Sequence, residues 1–179
     1  MTARILVFTL PALLLAACAG GPPARPAADD TPAALKPASG EHALMTLAAK
    51  GVQIYECRAR KDAPGATEWV FVAPEAELFD GAGKKVGTHY AGPSWESVDG
   101  SKLVGKVAAR VDAPEPGAIP WLLLTTQSTG PHGTFSKVSA IQRLNTEGGV
   151  APPAAGCTSA SVGKTERVGY LADYRLLVR

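Results

Sequence analysis

Short segments rich in β-branched and aromatic residues, separated by turn residues, most constrain what this chain can fold into. Two examples are GVQIYECRA (residues 51–59) and TEWVFVAP (residues 67–74), and the breaks between such segments are rich in Gly, Pro and Asp. Their spacing of about 8–12 residues is typical of antiparallel sandwiches and barrels. The strand–helix alternation of a doubly wound sheet is not seen. The sequence therefore predicts an all-β fold, an antiparallel sandwich or barrel of about 8–10 short strands.

Individual segments add detail to this expectation. EAELFD, DGAGKK and KVGTHYA follow one another and predict a hairpin with its turn at residues 80–84. The continuous apolar run in IPWLLLTTQS is typical of a strand that is covered on both faces. EHALMTLAAK is compatible with either a short helix or a first strand.

The first 17 residues have the layout of a secretory signal peptide. Arg4 precedes an apolar run over residues 5–17, which is too short to span a bilayer core that needs about 20 apolar residues. The run ends in LAAC, which resembles the lipobox of bacterial lipoproteins. That resemblance implies cleavage before Cys18 and attachment of fatty acyl chains to it. Ala19 in place of aspartate favours the outer membrane, facing the periplasm or the cell surface. Cleavage followed by free secretion is the alternative.

The chain after the signal peptide divides by composition. Residues 18–40 consist of the anchor cysteine and a segment dominated by Ala, Pro, Gly, Asp, Ser and Thr. This composition offers no set of apolar side chains to bury, so we expect a disordered tether. Residues 41–179 are long enough for one domain with its own core. The predicted organisation is a signal peptide over 1–17, a lipidated tether over 18–40 and one β domain over 41–179.

Two cysteines remain beyond the anchor, Cys57 and Cys157. In an exported chain such a pair most simply forms one disulfide bond. Two buried thiols or a pair of metal ligands are the alternatives, although neither a CxxC motif nor a nearby histidine pair supports a metal.

The charge and the motifs of the sequence argue against nucleic acid, zinc and nucleotides as partners. The 18 basic and 16 acidic residues nearly balance, and no basic patch stands out, so nucleic acid is not an expected partner. The three histidines form no zinc motif. The glycines of GAGKKVG (residues 81–87) have the spacing of neither a dinucleotide fingerprint nor a phosphate loop. No metal, no cofactor and no catalytic residue is therefore assigned from the sequence.

The richest candidate site is THYAGPSWESVDGSKLVG, residues 88–105. His89, Tyr90, Trp95 and Asp99 are its candidate ligand-binding residues, because aromatic rings stack on flat ligands and a carboxylate accepts hydrogen bonds. Trp95 lies among turn residues, which favours a position at the surface. On this interpretation Trp95→Ala would leave the melting temperature nearly unchanged while removing affinity for an envelope ligand.

Three functions remain open on this evidence. The first is a binding module of the cell envelope, with a small ligand or a protein as its partner. The second is a hydrolase acting on cell-envelope material through His89, Glu96 and Asp99, which requires those side chains to converge in one cleft. The third is a purely structural lipoprotein. Gln142 and Arg143 lie either on an outward face or beside Glu96 or Asp99.

Several motifs taken together resemble an uncharacterised exported domain family of bacteria and fungi. The motifs are GVQIYEC, HYAGPSWESVDGS, IPWLLL, IQRLNTEGG followed by APP, and a cysteine after them. The resemblance covers residues 40–179. It implies export and the fold, and it carries no accepted activity that could be transferred to this chain.

Overall fold

Eight antiparallel strands form nearly all the regular structure of residues 31–179, the part of the chain that the computed structural model describes. Each strand pairs with the next one and β8 pairs with β1, so the sheet closes into a barrel. The predicted all-β antiparallel fold is confirmed, in its barrel form. No helix among these residues is long and apolar enough to cross a membrane. The strands are β1 (His42–Ala59), β2 (Thr67–Phe79), β3 (Lys85–Tyr90), β4 (Ser94–Ser97), β5 (Lys102–Val111), β6 (Trp121–Ser128), β7 (Val138–Gly148) and β8 (Thr165–Val178).

β1 joins EHALMTLAAK and GVQIYECRA, which the sequence suggested were separate segments. The first of them therefore belongs to a strand and not to a helix. Gly51 lies at the junction, where it pairs with Ala76 of β2 and with Tyr170 of β8. An added Cβ at Gly51 would lie 2.1 Å from the carbonyl oxygen of Glu75. The glycine therefore permits a close approach of two backbones inside one long strand, and it does not mark a break.

The predicted hairpin is confirmed, because β2 and β3 are joined by a turn at residues 80–84. The backbone N–H of Asp80 donates to the Lys84 carbonyl at 3.0 Å. The Asp80 carboxylate accepts hydrogen bonds from the backbone N–H groups of Ala82 and Lys84, at 3.0 and 2.9 Å. The aspartate that begins the turn thus also stabilises it.

The apolar core fills one end of the barrel and leaves the other end hollow. Along β1, inward-facing Leu47 and Ala49 belong to the core, whereas Gln53 and Tyr55, further along the same face, line a cavity. All four share a face because residues two apart on a strand point to the same side of the sheet. Large, fully buried side chains of the filled end include Leu47, Leu78, Leu103, Phe135, Ile141 and Leu176.

The predicted disulfide between Cys57 and Cys157 is confirmed. It joins the end of β1 to the connection between β7 and β8. The same region is held by two backbone hydrogen bonds, from the Gly163 N–H to the Cys57 carbonyl at 2.8 Å and from the Cys57 N–H to the Lys164 carbonyl at 2.9 Å. The cysteines are 100 residues apart, and cross-linking so long a loop stabilises a fold by as much as about 4–5 kcal/mol in the chain-entropy treatment.

Ordered structure begins before residue 41, the first residue assigned to the β domain from the sequence. Ala33–Leu35 forms a short 3-10 turn on the outside of the barrel. Leu35 is fully buried against Trp121 and Leu144, and its carbonyl accepts a hydrogen bond from Gln142 Nε2 at 2.6 Å. The last residues of the predicted tether thus include a segment docked on the barrel. The predicted signal peptide, the anchor cysteine and the first part of the tether lie outside the described residues.

Candidate binding cavity

The cavity opens beside β3 and β4, the two shortest strands of the barrel. β3 and β4 have six and four residues, whereas their neighbours β2 and β5 have 13 and 10. The last pairing of β2 with β3 joins Ala76 to His89, and β2 extends beyond it. The last pairing of β5 with β4 joins Val104 to Ser94, and β5 also extends beyond it. A cavity of about 650 Å³ opens at this gap, with residues 92–93 in its wall. Four apolar side chains at its rim are about half exposed, namely Phe71 (49%), Val72 (45%), Val107 (50%) and Val150 (42%).

The wall of the cavity is mainly apolar and aromatic. Its polar side chains are Gln53 and His89, the phenols of two tyrosines, and the guanidinium groups of Arg110 and Arg143. Among residues 31–179, no residue that lines the cavity is Asp or Glu, and none is Ser, Thr, Cys or Lys. Apart from His89, the ionisable side chains of the lining are thus either cations or phenols.

His89 lies on the inward face of β3, opposite Trp95 of β4. The two rings stack with their centroids 4.3 Å apart. His89 Nδ1 lies 2.8 Å from the Ser94 carbonyl oxygen, and because a carbonyl can only accept, Nδ1 carries the proton. Burial lowers the pKa of His89 from 6.5 to about 3; the Ser94 hydrogen bond opposes this shift and the charge of Arg143 adds to it. The imidazole is therefore neutral at physiological pH and has an acceptor at Nε2.

Trp95 is a core residue, and the expectation that it lies at the surface is wrong. Its side chain is only 1% exposed, and the indole meets the ring of Tyr174 edge-on, with centroids 5.5 Å apart. Gly105 of β5 leaves the space that the indole occupies, because an added Cβ there would lie 2.8 Å from it. The buried ring nevertheless forms part of the cavity wall.

Tyr90 and Glu96 lie on the outer face of the barrel, because each is next in sequence to an inward-facing residue, His89 or Trp95. The Tyr90 hydroxyl donates to Glu96 Oε2 at 2.5 Å. Lys102 Nζ lies 5.0 Å from the centroid of the Tyr90 ring. Neither Tyr90 nor Glu96 lines the cavity.

Asp99 links two loops through hydrogen bonds and does not face the cavity. One carboxylate oxygen accepts hydrogen bonds from the backbone N–H and the hydroxyl of Ser101, at 2.9 and 2.6 Å. The other accepts from the backbone N–H and the hydroxyl of Thr134, both at 2.7 Å. The hydrogen bonds from the two hydroxyls, followed by those from the backbone, hold the pKa of Asp99 well below its usual range. The ionised carboxylate therefore ties the turn after β4 to the loop between β6 and β7.

The structure thus brings together two of the four candidate ligand-binding residues, His89 and Trp95, and leaves Tyr90 and Asp99 elsewhere. The residues named in the hydrolase alternative do not converge: His89 faces inward, Glu96 faces outward, and Asp99 binds a loop. Among residues 31–179, no group of three or more His, Cys, Asp or Glu side chains is placed to hold a metal ion.

Arg143 lines the interior of the barrel, which is neither of the two positions that the sequence suggested for it, an outward face or a place beside Glu96 or Asp99. In β7 it pairs with Leu122 of β6 and with Tyr174 of β8, and all three line the cavity. Arg143 Nε and Nη2 donate to the Pro120 carbonyl at 3.0 and 2.8 Å. Strand alternation was the signal present in the sequence, since it puts Arg143 on the same face as the buried Ile141.

Two tyrosines that the sequence did not single out also line the cavity. The Tyr55 hydroxyl donates to the Gly149 carbonyl at 2.7 Å, and the hydroxyl oxygens of Tyr174 and Tyr170 are 3.4 Å apart. Burial raises the pKa of both Tyr55 and Tyr174, and the charge of Arg143 opposes the shift in each. The phenols are therefore neutral hydrogen-bonding groups at physiological pH.

Two buried N–H donors on lining residues have no hydrogen-bond partner within residues 31–179, Gln53 Nε2 and Trp95 Nε1. Leaving a buried donor unpaired costs about 1–3 kcal/mol. Acceptor atoms of a bound molecule would supply such partners, so the unpaired donors favour a ligand that carries acceptors.

Residues 37–178 match a family model described as a protein of unknown function, DUF3455. No curated protein and no solved structure matches the chain. The matched range contains the entire barrel, and it confirms the resemblance to an uncharacterised domain family.

Proposed function

The chain belongs to the DUF3455 family of proteins of unknown function, and we propose that it is a lipid-anchored envelope protein whose barrel binds a small, largely apolar molecule. The observation that carries the binding role is the cavity of about 650 Å³ that opens beside the β3–β4 turn. The lipid anchor rests on the N-terminal sequence alone, so each part has its own test.

The size and the lining of the cavity support ligand binding. Small-molecule sites are clefts of about 300–1,000 Å³ with mostly apolar walls and a few polar groups. The cavity has this size and this composition. An eight-stranded barrel is just wide enough to hold one small ligand among its interior side chains.

The rim of the cavity supports the entry of an apolar ligand. Phe71 and Val72 of β2, Val107 of β5 and Val150 are large apolar side chains exposed at the opening. Clustered exposed apolar side chains mark ligand or partner sites, whereas scattered ones do not. A ligand with an apolar body would cover them, and burying apolar surface is favourable by about 25 cal/mol per Å².

The chemistry of the lining favours binding over hydrolysis. Because no lining residue in the described part of the chain is Ser, Thr, Cys or Lys, a bound ester or glycoside would meet no side-chain nucleophile of these types there. His89 is the remaining candidate base, but its pKa of about 3 makes it a weak one. Its Nδ1 is held by a backbone carbonyl and not by a carboxylate.

The binding role predicts a single site for a neutral apolar probe such as N-phenylnaphthylamine. We expect its fluorescence to rise on binding, with one probe per chain. Leu122→Trp, which places a larger side chain in the cavity, should weaken binding at least about tenfold, because the indole occupies space that the probe needs and fitting both costs about 1–3 kcal/mol. Leu44→Trp is the matched control, since Leu44 is exposed on β1 and does not line the cavity.

Thermal unfolding followed by circular dichroism must show that both tryptophan variants remain folded. The binding role would be contradicted if the folded protein showed no saturable uptake of the probe. Equal affinities of the Leu122→Trp and Leu44→Trp variants would also contradict it, since the probe would then bind outside the cavity.

The anchor predicts that Cys18→Ala moves the protein from the outer-membrane fraction to the soluble fraction. Several acyl chains hold a protein firmly, because each buried methylene contributes about 0.8 kcal/mol. The control is Cys57→Ala combined with Cys157→Ala, which removes the same residue type elsewhere and should leave the protein with the membranes. Immunoblots of the two fractions give the readout. Unchanged fractionation of the Cys18→Ala variant would refute the anchor and favour free secretion.

A further inference from the structure

We infer that the cavity selects ligands that carry an anionic oxygen group, of which a carboxylate is the simplest, and that Arg143 binds this group. The inference rests on the proposed function, because it names the class of ligand that the same cavity takes. The ligand would have an apolar body facing the aromatic wall and an anionic end at β7.

The position of Arg143 allows its guanidinium to act on a ligand. Its pairing partners Leu122 and Tyr174 both line the cavity, as Arg143 itself does. Nε and Nη2 each donate to the Pro120 carbonyl. A guanidinium has five N–H groups in a planar fork, so donors remain for a second acceptor group.

The charge of Arg143 has no partner of opposite sign in the cavity. Within residues 31–179, no lining residue is Asp or Glu, and no ion pair includes Arg143. Withdrawing a charge from water is unfavourable unless an opposite charge and hydrogen bonds compensate for it. A ligand carboxylate would supply both, in the bidentate geometry that arginine and carboxylate commonly form.

Arg110 adds a second positive charge to the lining. Its side chain is 66% exposed and lies 4.0 Å from the carboxylate of Asp112, so solvent and salt screen its charge. Positive charge at the opening of a cleft raises the local concentration of anions. Arg110 is therefore suited to attract an anionic ligand, while Arg143 is suited to hold it.

The rest of the lining holds no group that would repel such a ligand. Gln53 Nε2 and Trp95 Nε1 lack hydrogen-bond partners among the described residues. An anionic oxygen group accepts hydrogen bonds and donates none. With a neutral imidazole at His89 and neutral phenols at Tyr55 and Tyr174, the lining offers no negative charge that would repel it.

Arg143 also has a purely structural use, because it holds the carbonyl of Pro120 just before β6. A role confined to that bond predicts no difference between a charged ligand and a neutral ligand of the same shape. The difference in affinity between two such ligands therefore separates the two roles.

Naphthoate and naphthamide provide the matched pair, each competing with N-phenylnaphthylamine on the full chain at neutral pH. We expect the unaltered protein to bind naphthoate at least about tenfold more tightly than naphthamide. Arg143→Met should abolish this preference while changing the affinity for naphthamide by less than about threefold. Arg143→Lys should keep part of the preference, since it retains the charge and loses the fork. Arg60→Met is the matched control and should leave the preference unchanged, because Arg60 pairs with Asp62 at the surface and does not line the cavity.

The outcomes separate the inference from the proposed function. Equal affinities of the unaltered protein for naphthoate and naphthamide would overturn the inference and leave the proposed binding role intact. Failure of all three compounds to bind would overturn both. A preference that survives Arg143→Met, or that Arg60→Met abolishes, would overturn the role of Arg143. If Arg143→Met does not fold, Arg143→Lys decides, because an undiminished preference there would count against the guanidinium.

Discussion

Replacing Trp95 by alanine is expected to lower the free energy of unfolding by about 3–5 kcal/mol, the usual cost of truncating a large aromatic side chain in a core. Trp95 is almost completely buried, stacks on His89 and meets Tyr174 edge-on. Its truncation would enlarge a cavity that already exists, and the strands around it are held apart by barrel closure, so the space cannot collapse easily. Urea unfolding followed by circular dichroism measures the loss.

Trp69 supplies the matched control for this substitution. It lies on β2 with its side chain partly exposed, and its Nε1 donates to the Pro153 carbonyl at 3.2 Å. Trp69→Ala should therefore cost clearly less than Trp95→Ala. Surface substitutions usually change stability by less than about 0.5 kcal/mol. A loss of that size for Trp95→Ala would contradict its position in the core and favour the surface position that its neighbours in the sequence suggest.

Local patterns in the sequence were enough to predict the class of fold, but they did not predict that the sheet closes into a barrel. The aspartate and glycines after β2 predicted the hairpin because turn residues act within a few positions of one another. The pairing of β1 with β8, for example Gln53 with Val168, joins the two ends of the domain, and no local pattern encodes it. The sequence therefore left a sandwich and a barrel as alternatives, and the cavity, which depends on closure, could not be foreseen.

Two of the four candidate ligand-binding residues line the cavity, and the other two do not. The cause is again that local sequence patterns do not encode long-range contacts. His89 and Trp95 were singled out together, and the register of β3 against β4 places them opposite each other. Tyr90 was grouped with them by proximity in sequence, although adjacent residues on a strand face opposite sides. Asp99 was taken for a ligand contact, but its partner Thr134 lies on a loop far along the chain.

Arg143 was misplaced because β7 carries buried side chains on both faces. Leu144 points outward, yet it is buried, since Leu35 and Trp121 pack over it from outside the barrel. Gln142 points outward as well, where it donates to the Leu35 carbonyl. The covering segment belongs to a Pro/Ala-rich stretch that composition assigns to a tether, so no local pattern indicated that the outer face of β7 is covered. Once that cover is known, alternation places Arg143 inside.

Acid is expected to destabilise the protein through His89. Burial lowers the pKa of His89 in the folded barrel to about 3, against about 6.5 for an unfolded chain. Below about pH 6.5 the unfolded chain therefore binds a proton that the folded barrel does not, and the free energy of unfolding falls by about 1.4 kcal/mol per pH unit. The loss from this one group reaches about 3 kcal/mol near pH 4.5 and levels off once the pH is below the folded-state pKa.

His89→Phe tests this expectation, because it keeps an aromatic ring against Trp95 and removes the titrating group. Urea unfolding between about pH 7 and pH 4.5 should give a shallower fall in stability than the unaltered protein shows, by about 1 kcal/mol per pH unit. His132→Phe, which changes an exposed histidine, should leave the slope as it is. An unchanged slope in His89→Phe would mean that the folded protein protonates His89 as readily as the unfolded chain does. Water would then reach the ring through the cavity, so the pH profile also measures how well the barrel excludes solvent from its aromatic wall.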